Sequence, residues 1–133
     1  MENEFVKYEE AKALNELGFS KPCFGYYVKD TKEFRLINGN LFSNNSYTGT
    51  KDFLFTTPTY QQAFRWFRKE HGLYSAIVAK KCWPDQAVTG VEWYMEICGG
   101  NGKELGCDGV YSYEEAELAL LKKLIQIVKE NIQ

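Results

Sequence analysis

Hydrophobic residues recur at helical spacing in three segments of the chain, and runs rich in β-branched and aromatic residues lie between them. In the first helical segment, residues 8–18, the side chains of Ala13, Leu14 and Leu17 share one face. Gly18 follows the last apolar position and suits the left-handed residue that commonly ends a helix. The pattern therefore predicts a short first helix that stops at Gly18.

A second helix is predicted in TPTYQQAFRWFRKEHG, residues 57–72. Thr59 is the expected N-cap, Gln62 completes a capping box and Gly72 ends the helix. One arc of about 100°, the width of a core-facing stripe, contains the apolar set Tyr60, Ala63, Phe64 and Phe67. The remaining surface carries the polar set Gln61, Arg65, Arg68 and Lys69, with Trp66 at the border. We expect a solvated basic face on a helix whose aromatic residues belong to the core.

The third helix begins with a capping box, Ser112 and Glu115, and runs to about Ile132. Its apolar arc spans about 200°, although about 100° suffices to pack on one layer. The first stripe consists of Tyr113, Ala116, Leu120, Leu124, Ile127 and Val128, and the second of Leu118, Leu121, Ile125 and Ile132. The excess predicts that the second stripe lies at an interface with a second copy or another protein. The alternative is that the first helix or the loop at 39–50 covers it within one chain.

Two hairpins are predicted between the helices. Residues 23–29 and 33–38 flank the turn-forming DTK, and residues 73–83 and 87–98 flank PDQ. The second hairpin should form the centre of the sheet. The Asn-, Ser- and Gly-rich stretch at 39–50 is predicted to be a long loop. GGNGKELG, residues 99–106, should form a turn or loop, and residues 107–111 are a candidate short strand.

These elements give the order α-β-β-α-β-β-α. Because hairpins dominate over crossover connections, we predict a single α+β domain spanning all 133 residues. It should contain an antiparallel sheet of about four to five strands, with three helices packed mainly on one face.

The pattern Tyr-Glu/Gln-Glu/Gln-Ala occurs three times, at Tyr8, Tyr60 and Tyr113. The nearly equal gaps suggest a duplicated unit, but Tyr8 lies roughly opposite Leu17 on its helix, whereas the other two tyrosines fall on apolar stripes. We therefore favour a recurrent way of starting a helix over an ancient duplication.

Composition and charge narrow the classes of function. The net charge of −2 is too small to attract polyanions or anionic membranes through a global field. No stretch approaches the roughly 18 apolar residues of a membrane-spanning helix, and the first residues, MENEFVKYEEAK, are charged where a signal peptide is apolar. We expect a cytoplasmic protein that does not enter a membrane.

The cysteines are Cys23, Cys82, Cys98 and Cys107, and no pair has C-x-x-C spacing. We predict reduced, free thiols that behave as small buried hydrophobes and hold no zinc. No other cofactor is expected.

His71 is the only histidine of the chain and lies at the C-terminal end of the second predicted helix. The first interpretation is a capping or packing side chain. The alternative is a general base or nucleophile activator paired with Cys82, Cys98 or Cys107. A small enzyme with such a Cys/His site is our third hypothesis, and we expect that the protein is not an enzyme.

Nucleic-acid binding is the second hypothesis. Arg65, Arg68 and Lys69 on the basic face of the 59–71 helix would contact phosphates, and Trp66 is the side chain there available to stack on a base. Such binding should be weak and strongly salt-dependent, because three cations release only about three counterions.

Three stretches carry a resemblance to other proteins: FTTPTYQQAFRWFRKEHG, ALNELGFSKPCFGYY and YSYEEAELALLKKLI. With them the chain resembles a group of short proteins of unassigned activity from gut anaerobes and their phages or other mobile elements. The resemblance implies a small intracellular α+β protein, and it brings no catalytic residues. Our first hypothesis is therefore a non-enzymatic binding or accessory module that acts through protein contacts, with a homodimer as one possible form.

Overall fold

The computed structural model describes residues 2–36, 53–81, 91–99, 104–110 and 112–132. After a short 3-10 helix at Glu2–Glu4, the elements are α1 (Tyr8–Glu16), β1 (Gly25–Val28), β2 (Phe34–Leu36), β3 (Phe53–Thr57), α2 (Tyr60–His71), β4 (Tyr74–Lys81), β5 (Val91–Cys98), β6 (Glu104–Val110) and α3 (Tyr113–Ile132). All strand pairs are antiparallel, so the predicted α+β class is confirmed. The loop predicted at 39–50 and the PDQ turn lie outside the described residues.

The strands form two three-stranded sheets, ordered β2-β1-β3 and β4-β5-β6, instead of the single predicted sheet. The chain divides accordingly into two compact units, Met1–Ala63 and Phe64–Gln133, with the boundary inside α2. Two strands account for the difference. The strand β3 precedes α2, where the predicted order has no strand, and β6 starts at Glu104, inside the run predicted to be a loop.

In the first unit, an aromatic cluster lies on one face of the sheet beneath α1. Tyr27 pairs in register with Phe34 on one side and Phe55 on the other, and the ring of Tyr8 lies 5.5 Å from the rings of both Tyr27 and Phe55. The Val6 carbonyl accepts hydrogen bonds from the Tyr27 hydroxyl at 2.9 Å and the Thr57 hydroxyl at 2.7 Å. These bonds fix the N-terminal segment to the sheet.

The cluster explains why residue 25 is glycine. A Cβ atom at Gly25 would lie 2.7 Å from Cε2 of Phe34 and 3.0 Å from the ring of Phe5. We expect Gly25→Ala to lower the free energy of unfolding by about 1–3 kcal/mol, as overpacked cores do. Urea denaturation measures the change. Gly25→Ala should destabilise the Phe34→Leu protein less than it destabilises wild type, because the shorter side chain leaves room for the added methyl group. An equal loss in both backgrounds would mean that the strain does not come from Phe34.

The predicted helix boundaries are confirmed by the caps. Gly18 has a φ of 98°, and the Phe19 amide donates to the Leu14 carbonyl at 3.0 Å across the end of α1. Gly72 has a φ of 63° at the end of α2. At the start of α2, the Gln62 amide donates to the Thr59 hydroxyl at 3.2 Å, as an N-cap requires.

The Gln62 side chain has a partner that the capping box did not predict. Its Nε2 donates to the Pro22 carbonyl at 2.6 Å. This bond ties the start of α2 to the segment before β1. In α3 the Glu115 amide donates to Ser112 Oγ at 3.1 Å, as predicted. The Glu115 carboxylate accepts from the Ser112 hydroxyl, also at 3.1 Å, and not from the Ser112 backbone amide of a standard capping box.

The repeated Tyr-x-x-Ala pattern marks the first turn of all three helices. Each tyrosine is the first helical residue, and each alanine, at positions 11, 63 and 116, is fully buried and donates its amide to the residue four positions earlier. The two sheets differ in strand order. In the first sheet the central strand is β1, the first of its three strands along the chain, whereas in the second sheet it is β5, the second of its three. This difference favours a recurrent helix start over duplication.

In the second unit, α3 packs on all three strands. The second hairpin was predicted to form the centre of the sheet; its strand β5 is central, but β4 is an edge strand. Alternate residues of β5 point toward α3: Met95 and Ile97 are buried, and the ring of Trp93 lies 5.1 Å from that of Tyr113. Glu96, between them, is exposed. The opposite face of this sheet is therefore the more open one. Within the described parts of the chain, no helix has the length and apolarity to cross a membrane.

Candidate functional site

The second stripe of α3 was predicted to be an interface, and the structure does not expose it as one. Leu121 and Ile125 are buried within the single chain, and Leu118 is half-buried. The Ile132 side chain lies outside the described residues. The wide apolar arc of α3 is thus largely used inside the chain, and Leu121 and Ile125 are not available to a partner.

The basic face of α2 is exposed as predicted, but its aromatic member is not. Arg65, Arg68 and Lys69 are exposed, whereas Trp66 is only 7% exposed and its ring lies 5.0 Å from that of Phe67. From its border position Trp66 thus packs toward the core, and its ring is not available to stack on a base. A nucleic-acid site on this face would have three cations and no stacking platform of its own.

His71 packs against the aromatic residues of its own helix. Its ring lies 4.8 Å from Trp66 and 5.9 Å from Phe67, which agrees with the packing interpretation. It also borders a pocket of about 370 Å³ with Glu70, Leu73, Val128 and Asn131. None of these described lining residues is a cysteine. Because Cys82 and the side chain of Cys107 lie outside the described residues, the alternative Cys/His pair stays a hypothesis.

Cys23 is a buried thiol in the first unit. Its Sγ donates to the Lys21 carbonyl at 3.2 Å, and burial raises its pKa to about 12 against the lowering effect of hydrogen bonds with the side chains of Thr56 and Gln62. Since the thiolate is the reactive form, Cys23 is a poor nucleophile and metal ligand.

This environment predicts both reactivity and pH dependence. At pH 8, iodoacetamide should leave Cys23 unmodified in the native protein and modify it in urea, as peptide mass spectrometry would detect.

The pKa of Cys23 is about 12 in the folded state against 9.0 for an unperturbed thiol. Above about pH 9 the unfolded state loses a proton that the native state keeps, so stability should fall between about pH 9 and 12. In Cys23→Ala, the free energy of unfolding, measured by urea denaturation at each pH, should fall less steeply over this range. An unchanged dependence on pH would mean that this thiol does not contribute.

The other cysteines offer no metal site among the residues that the structure describes, where no group of three or more potential ligands converges. Cys23 and Cys98 are both free thiols, and Cys98 is half-buried. Cys82 and the side chain of Cys107 lie outside the described residues, so the predicted free state of those two stays a prediction.

The strand β4 is the candidate binding surface of the second unit. It forms one edge of its sheet, and all eight residues pair with β5 without a register shift. No further strand pairs with its outer edge in the described parts of the chain. From Tyr74 to Ala79 the strand reads YSAIVA, with no charge, proline or bulge. These six residues therefore lack the devices that usually protect a sheet edge from another chain, and the strand ends in Lys80 and Lys81.

The side chains on the open face of β4 are exposed as well. Tyr74 is 51% exposed, Val78 is 38% exposed, and Ala76 between them is exposed. Ala76 lies directly opposite the exposed Glu96 of β5, and opposite residues of an antiparallel pair point to the same face. We call Tyr74, Ala76, Val78 and Glu96 the open strand face.

The edge strand β2 of the first unit provides a contrast. It is three residues long, and its central residue, Arg35, forms a 2.9 Å salt bridge with Glu33. Short length and charge are the usual protection of a sheet edge. These two edge strands, one from each sheet, thus differ in kind: β2 is short and charged, whereas β4 has an uncharged run of six residues.

The sequence did not identify β4 as a site. Its only signal is a strand of six uncharged residues, which is also the pattern of a central strand. Edge position depends on the order of strands in the sheet, which a single strand does not encode.

Known proteins provide no further guide to this surface. The predicted resemblance to short proteins of gut anaerobes and mobile elements stays a prediction. Comparisons with protein-family models, with curated proteins and with solved structures found no match to this chain.

Proposed function

We propose that the protein is a non-enzymatic binding module that receives an extended segment of a partner protein along the outer edge of β4. The observation that carries this proposal is an edge strand whose first six residues are uncharged, with exposed Tyr74 and Val78 on its open face. An added strand would take its affinity from main-chain hydrogen bonds and its specificity from alternate side chains.

Burial supports the same choice of surface. Exposed apolar side chains that stand alone are normal, but here two of them lie on the same strand and face, separated by one small residue. Covering them would return only part of the about 1.5–3 kcal/mol that full burial of an exposed apolar side chain gives, because Val78 is 38% and Tyr74 51% exposed. The nucleic-acid alternative has no corresponding gain, because Trp66 is already buried.

The experiment is a selection of displayed, randomised ten-residue peptides against the purified protein. We expect enriched peptides to carry apolar residues at alternate positions. Val78→Lys should weaken a selected peptide at least tenfold, because a charge replaces the apolar contact. Leu36→Lys is the matched control: Leu36 is an aliphatic residue of the edge strand β2 with similar exposure, and its replacement should leave binding unchanged.

Methylation of the peptide backbone separates strand addition from simple side-chain docking. N-methyl groups on alternate residues should abolish binding in one register and leave it nearly unchanged in the other, because only every second amide faces β4. A selection that enriches no peptide, or peptides that bind Val78→Lys normally, would refute the proposal. If the only binding segment found is β4 of a second copy, light scattering will show the homodimer.

A further inference from the structure

Of the four residues that define the open strand face, Glu96 is the charged one, and its position is specific. Glu96 lies on β5 directly across from Ala76, the smallest side chain of the face. Tyr74 and Val78 lie two residues to either side of Ala76 on β4. The face therefore has two large apolar side chains on β4 with a small one, Ala76, between them. The Glu96 carboxylate lies next to Ala76 on the neighbouring strand.

We infer that the partner segment carries a basic residue between two apolar residues, in the pattern apolar-x-Lys/Arg-x-apolar. This inference rests on the proposed function and specifies its partner. In a strand added to β4, three alternate residues would lie opposite Tyr74, Ala76 and Val78. The outer two contact the tyrosine ring and the valine, and the central one lies over the methyl group of Ala76.

The central position favours a long cation for geometric reasons. Adjacent strands lie about 4.8 Å apart, so the added strand would lie about 10 Å from β5. A short side chain does not cross that distance. An arginine or lysine can extend its aliphatic stem over Ala76 and place its charged end near the exposed carboxylate of Glu96. A larger residue at position 76 would block this path.

An acidic residue at the same central position would meet the Glu96 carboxylate and be disfavoured. The face thus selects a partner by the sign of one charge as well as by two apolar contacts. Because Glu96 is exposed, the preference should be modest and sensitive to salt.

The test uses one selected peptide made in three versions, with Arg, Gln or Glu at the residue opposite Ala76. Fluorescence anisotropy measures each against wild type and against Glu96→Arg. We expect wild type to bind the Arg version about two to five times more tightly than the Gln version, as an exposed ion pair allows, and the Glu version more weakly. Glu96→Arg should bind the Glu version of the peptide most tightly and the Arg version most weakly.

Two control variants test whether the preference for arginine comes from Glu96. Glu70→Arg changes an exposed carboxylate away from this face and should leave the wild-type order unchanged. Ala76→Leu should reduce the preference for Arg, because it blocks the path to Glu96. If the three peptides bind wild type equally and still require Val78, the charge inference is wrong and the proposed function stands. If no version binds, or Val78→Lys binds normally, both are wrong.

Discussion

Replacement of Phe67 by alanine is expected to lower the free energy of unfolding by about 3–5 kcal/mol. Phe67 is completely buried, and its ring contacts those of Trp66 and His71. Truncation would remove these contacts and leave a cavity beside two rings that cannot readily collapse into it. A loss of this size is a large fraction of the about 5–15 kcal/mol that stabilises a typical domain.

Urea denaturation followed by circular dichroism measures the change. The matched control is Arg68→Ala, the next residue on α2, which is exposed and should change stability by no more than about 0.5 kcal/mol. A loss below about 1 kcal/mol for Phe67→Ala would show that α2 does not pack as the structure describes.

Leu121→Glu is expected to unfold the protein and not to dissociate an assembly. Leu121 is fully buried in the single chain, so the new carboxylate would lose its water without a designed partner. The expected cost is several kcal/mol, enough to abolish a cooperative thermal transition near room temperature. Ile125→Glu should act in the same way, because Ile125 is also buried.

Thermal melting with light scattering distinguishes this result from the interface that the α3 pattern predicted. Lys122→Glu, on an exposed position next to Leu121, is the control and should leave both the fold and the oligomeric state unchanged. A Leu121→Glu protein that stays folded while a wild-type dimer becomes a monomer would restore the interface interpretation.

The features that the sequence predicted correctly depend on neighbouring residues. The helix ends at Gly18 and Gly72 and the caps at Thr59 and Ser112 follow from bonds within four or five positions of the chain. The apolar stripe of α2 was also correct, because all four of its members are buried.

The features that the sequence missed depend on residues far apart in the chain. The strand β6 contains Gly106 and Gly109, which disfavour strands, yet pairing with β5 overrides that preference. A helical wheel shows that the apolar arc of α3 is wide, but it does not show which residues elsewhere in the chain cover Leu121 and Ile125. The open strand face follows from strand order, so it became visible only with the sheet.

Amide hydrogen exchange along β4 in the isolated protein tests the central claim most directly. If the outer edge is open, protection should alternate, with every second amide of Tyr74–Lys81 exchanging rapidly and the intervening ones held by β5. Addition of a selected peptide should slow the rapidly exchanging set. Uniform protection of all these amides in the monomeric protein, with no change on adding peptide, would show that the edge is already occupied and would contradict the account.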